Sequence, residues 1–111
     1  MKPTIIYTYG PEGNCPVQAE GTIDGYPFYF RSRGGHWAIH VANDSSAGAI
    51  YRDDCWTLRE LYTGVNADEP TPMYGHMVQF GAGWALQEEC VAFIESAAIA
   101  WKAEKQMKSI S

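Results

Sequence analysis

An Asp-Gly pair at positions 24 and 25 stands between two runs that read as strands, and nothing else in the sequence limits the fold as much. Two-residue hairpins favour this pair because both central positions need positive φ. Before it, Val17, Ala19, Gly21 and Ile23 fall on one face and Gln18, Glu20 and Thr22 on the other. After it, period-two geometry places Phe28, Phe30 and Ser32 on one face and Tyr29, Arg31 and Arg33 on the opposite one. Gly34-Gly35 permits a second reversal, and Trp37, Ile39 and Val41 form the apolar side of the next strand. The segment Thr4–Tyr9, β-branched and aromatic, adds a further strand and stops at the turn formers Gly10–Asn14.

The C-terminal stretch has a different period. Cys90, Ile94, Ala97, Ala98 and Trp101 make one helical stripe, with Phe93 beside it, Glu88 and Glu89 near the start and Lys102, Lys105 and Lys108 toward the end. The expected fold is therefore α+β: an antiparallel β-meander of four or five strands, with one long C-terminal helix of about twenty residues packed on one face. Residues 54–62 fit either a strand or two turns of helix, Ala49–Tyr51 fit a short strand, and 66–72 read as a Pro-punctuated surface loop.

With 111 residues, the chain suits a single domain spanning 1–111. Its net charge is -5, and its four interior cations are Arg31, Arg33, Arg52 and Arg59, too few for a duplex nucleic-acid surface but enough for a small anion. No apolar run is long enough for a membrane span. The first residues carry no signal-peptide pattern, so a cytoplasmic protein is expected. Cys15, Cys55 and Cys90 are widely spaced, which fits reduced, mostly buried thiols better than a disulfide framework or structural zinc.

Arg31 and Arg33 project from the same strand face roughly 7 Å apart, with Tyr29 in line, and can grip a diphosphate or two carboxylates. The competing reading is a solvated face neutralised by cross-strand neighbours such as Glu20. His36 and His40 would sit roughly 13 Å apart on a strand and cannot share one metal. No local motif joins a cysteine to a histidine, and no nucleophile elbow, phosphate loop or metalloprotease signature occurs, so neither an enzyme nor a cofactor or metal is expected. Tyr74 and Trp84, beside loops, are candidates for a stacking wall or an interface.

The run from Cys15 to Gly25, followed by Pro27–Arg33 and His36-Trp37, resembles small proteins encoded by phages and prophages. The Phe-Tyr-Phe-Arg hairpin is also loosely similar to the Thoeris anti-defence sponges, which oligomerise and sequester cyclic ADP-ribose signals. Those sponges carry two helices where this sequence has one. The resemblance implies a non-catalytic sheet-plus-helix subunit, a homo-oligomer in the bacterial host cytoplasm, with Phe28 and Arg31 as ligand contacts. Taken with the residue pattern, the candidate ligand-binding set is Phe28, Tyr29, Arg31, Arg33, Trp37 and Trp84. The expected function is counter-defence by sequestering a small anionic nucleotide-type signal without turnover. The alternatives are an anti-CRISPR-like inhibitor docking onto a bacterial defence protein through Asp53-Asp54 and Asp68-Glu69, or a small enzyme.

Overall fold

The structure is a computed structural model that describes residues 2–13, 16–33, 35–43, 55–64, 70–73, 76–79 and 85–110. Its main sheet has five antiparallel strands in sequence order: β1 (Ile5–Glu12), β2 (Val17–Ile23), β3 (Tyr26–Arg33), β4 (His36–Val41) and β5 (Trp56–Leu61). β6 (Pro70–Met73) and β7 (His76–Gln79) form a separate antiparallel pair, and α1 spans Gln87–Ile110. The expected meander-plus-helix architecture is the one observed, with the fifth strand present.

Asp24 and Gly25 have φ of 49° and 84°, so both turn residues take the left-handed conformation that a tight hairpin needs. The flanking strands pair from Ile23↔Tyr26 out to Val17↔Ser32 without interruption. Asp24 also anchors its surroundings. Its Oδ1 accepts from the Thr4 backbone N–H at 2.7 Å, and its Oδ2 lies 3.0 Å from Lys102 Nζ. These contacts, the Thr4 bond foremost, hold the Asp24 carboxyl below the usual carboxylate range.

β1 meets β2 less regularly, with register shifts after Tyr7 and after Tyr9 and with Gly10 at φ 71°. Gly21 lets the two backbones approach closely, because a Cβ there would overlap the Ile6 carbonyl oxygen. Within the stretch 54–62 that periodicity leaves undecided, Trp56–Leu61 form β5: Trp56 pairs with Val41 and Leu61 with His36, while residue 54 lies outside the described residues. Residues 70–72, the end of the expected 66–72 loop, instead belong to strand β6. In a two-stranded ribbon each strand has a free edge, so Pro70 and Pro72, two apart, can turn their missing N–H toward it. Residues 49–51 and 66–69 lie outside the described residues.

α1 covers one face of the sheet. Phe28, Phe30, Ile23, Ile39 and Val41 from the strands meet Cys90, Ile94, Ala97, Ala98 and Trp101 from the helix, all buried. Each large apolar side chain removed from water here contributes about 1.5–3 kcal/mol. Trp37 stacks on Phe93 with ring centroids 5.0 Å apart and planes 5° apart. Burial, with Glu89 adding to it, pushes the Cys90 thiol up to about 12.

Polar contacts fix the helix along β5. Glu89 reaches back so that its Oε1 accepts the Leu86 backbone N–H at 3.0 Å, half of a capping box, and the same oxygen accepts the Tyr62 hydroxyl at 2.5 Å. Near the other end, Trp56 Nε1 donates to Glu104 Oε2 at 2.7 Å. Among the described residues, no helix is long and apolar enough to cross a membrane.

Candidate functional site

The opposite face of the sheet has no helix over it, and the strand registers determine what it displays. Three rows run across β3, β4 and β5: Tyr29, His40 and Thr57; Arg31, Ala38 and Arg59; Arg33, His36 and Leu61. In the middle row a methyl group separates two guanidinium side chains whose backbones lie about 10 Å apart, twice the interstrand spacing. An open depression of about 730 Å³ forms there, lined by Tyr29, Arg31, Arg33, Ala38, His40 and Arg59 among others.

The face is basic in an acidic protein. Three of the chain's four arginines project from it. Among the described residues none of the three is paired with a carboxylate; the ion pair formed there joins Lys102 and Asp24 on the far side. The Arg31 Nε atom is buried and has no hydrogen-bond partner among the described residues. A buried donor left without an acceptor is costly, which makes this the least satisfied arginine nitrogen on the face among the described residues. Tyr29 forms a nearly buried floor: its hydroxyl donates to Gln18 Oε1 at 2.8 Å, and its ring lies almost parallel to that of His40, at 12° with centroids 6.4 Å apart. Burial lowers the His40 pKa, so its imidazole is neutral near pH 7.

Next to this floor, Cys55 Sγ lies 3.8 Å from His40 Nδ1 and 3.5 Å from Thr57 Oγ1, while Thr57 Oγ1 lies 2.9 Å from the same nitrogen. The β4–β5 register creates this triangle, as His40 pairs with Thr57 and Cys55 immediately precedes the strand.

Of the residues singled out from sequence, Tyr29, Arg31 and Arg33 come together on the open face. Phe28 and Trp37 do not join them: Phe28 is fully buried and Trp37 nearly so, both under the helix, because each is an odd number of residues from the arginines on its strand or across from them. Trp84, Tyr74 and Cys15 lie outside the described residues. Arg59, Thr57, His40 and Cys55 were not in the candidate set. Arg59 and Thr57 do share parity along β5, but that signal carries weight only once residues 54–62 are known to be a strand.

His36 and His40 share the open face with two rows' separation. Among the described residues, no group of three or more histidine, cysteine or acidic side chains is placed to hold a metal ion. Compared with known protein families, with curated proteins and with solved structures, the chain has no match.

Proposed function

We propose that the open sheet face captures a small anion of nucleotide type and holds it without turnover, the capacity that a phage-encoded counter-defence sponge in the host cytoplasm would use. The observation that supports this most is the row Arg31–Ala38–Arg59, with Arg33 beside it: three guanidinium groups around a gap that have, among the described residues, no carboxylate partner and, at one buried Nε, no acceptor. Arginine forks match phosphate oxygens in pairs, and the Tyr29–His40 rings offer a flat surface for a base. Tight capture from a shallow face calls for a second copy of the chain to close over it, so a homo-oligomer belongs to this reading.

Calorimetric titration with a panel of cyclic and linear nucleotides tests it. One or more should bind, Arg31→Ala should weaken capture at least about ten-fold with the circular-dichroism spectrum unchanged, and raised salt should weaken it further. Heating the complex should release the ligand intact. Recovery of a cleaved ligand would make the protein an enzyme, and failure of every phosphorylated probe to bind would end the proposal. The docking alternative rests on Asp53-Asp54 and Asp68-Glu69, outside the described residues, and predicts that charge reversal at Asp68 and Glu69 costs more than Arg31→Ala.

A further inference from the structure

Between the sheet and the last third of α1 lies a second cavity, of about 90 Å³, lined by Tyr26, Ala42, Trp56, Trp101, Glu104 and Lys105 among others. The strand order gathers it. Tyr26 opens β3, Trp56 opens β5, and Ala42 follows the end of β4, which runs between them, so three strand ends meet beside Trp101. Tyr26 and Trp101 touch edge to face, with centroids 5.2 Å apart and planes at 62°, and Trp56 Nε1 donates to Glu104 Oε2 at 2.7 Å, which fixes a carboxylate against the third ring. A cation already stands on these surfaces. Lys105 Nζ lies 3.4 Å from the centroid of Tyr26 and 5.3 Å from that of Trp101, and the cavity beside it is several times the roughly 10–15 Å³ that one water needs.

We propose that this aromatic cage is a binding site for a quaternary-ammonium head group, whose place the Lys105 ammonium keeps until the ligand displaces it. Three aromatic side chains and a carboxylate suit such a group, which spreads its positive charge over methyl surfaces and has no N–H to satisfy. A free primary amine is the weaker competitor. Lys105 presents the same ammonium at the high effective concentration of an attached side chain, and the incoming amine sheds its water no more cheaply. Displacement also leaves the electrostatics favourable: Lys102 is matched by Asp24 at 3.0 Å, so among the lining residues the charge that then faces the guest is that of Glu104. The cage lies on the helix side of the sheet, so the inference does not rest on anion capture by the arginine face.

The test titrates the isotopically labelled full chain with choline, with glycine betaine and with the neutral carbon isostere of choline, in which a tert-butyl group replaces the trimethylammonium. Ionic strength is held constant, and the tryptophan indole N–H signals are followed by nuclear magnetic resonance. Trp56 and Trp101 should shift with half-saturation at about 10 mM or below while Trp37, stacked on Phe93, stays in place, and the neutral isostere should bind at least about five-fold more weakly. Lys105→Gln removes the resident cation and should tighten choline about three-fold or more. Glu104→Gln keeps an acceptor for Trp56 without the charge, and should weaken choline by a similar factor. Betaine binding more tightly than choline would assign a zwitterionic ligand, the reverse a free cation. No saturable shift of Trp56 and Trp101 up to about 50 mM, in the native chain and in Lys105→Gln alike, would overturn the proposal. So would a neutral isostere that binds as tightly as choline, or unchanged affinity in both variants.

Discussion

The two faces of the sheet are built from the same strands, yet they obey opposite rules. Under the helix, neighbouring side chains satisfy one another: Phe30 and Ile39 pair across β3 and β4, Trp37 lies flat on Phe93, and Ile94 is fully buried. One residue further along each strand, on the open side, Arg31, Arg33 and Arg59 form no ion pair among the described residues, although Glu20 of β2 shares their face. Stability resides on the first face, while the guanidinium groups of the second form no ion pair among the described residues. A fold can bear such a face because the energy of the covered one does not depend on it.

The sharpest way to break this contrast is in the core. Phe30→Ala should cost about 3–5 kcal/mol, read as a lower urea midpoint, because it empties a fully buried ring site between the sheet and α1. Arg31→Ala, on the same strand and one residue away, should leave stability within about 0.5 kcal/mol while removing anion capture. If the two variants lost stability equally, the division between the faces would be wrong.

Gly21→Ala comes next. A Cβ at this position would overlap the Ile6 carbonyl oxygen, so β1 must move away from β2, and the expected cost is about 1–3 kcal/mol. Hydrogen exchange should show the loss concentrated in β1 and β2, with β4 and β5 protected as before.

The smallest effect concerns pH. Burial holds the His40 pKa below its ordinary value of 6.5, so as pH falls through about 6.5 the unfolded chain takes up a proton that the folded one resists. The unfolded state then binds more protons, and stability declines as pH drops from about 7.5 toward about 5.5. Urea titrations at both values should show a larger decline for the native sequence than for His40→Phe. The imidazole is partly exposed, so the difference is modest.

Much of the covered face can be read from the residues alone. Period-two alternation separates Phe28 and Phe30 from Tyr29 and Arg31, Asp24-Gly25 marks the turn, and the stripe from Cys90 to Trp101 gives the helix and its inward side. The open face is legible only in part. Arg31 and Arg33 share a strand, so local spacing is enough to pair them. Arg59 joins them through pairing between β4 and β5, and the segment's own pattern does not fix that pairing: Leu58, Leu61 and Tyr62 have helical spacing as readily as Trp56 and Leu58 alternate. The Cys55–His40 approach is likewise a product of long-range register. Phe28 and Trp37 entered the candidate set despite their parity, and parity explains why they lie in the core.

The carboxylates of Glu89 and Glu104 hold the residues at the two ends of β5, Tyr62 just past one end and Trp56 at the other. An outermost strand would ordinarily be the least constrained member of a sheet, free to fray or slide. Here it is moored fore and aft to a rigid spar on the far side. The ladder sets the span between Arg31 and Arg59, and the helix keeps its last rung from fraying, so losing either mooring carboxylate would loosen the Arg59 side of the open face without altering any arginine on it.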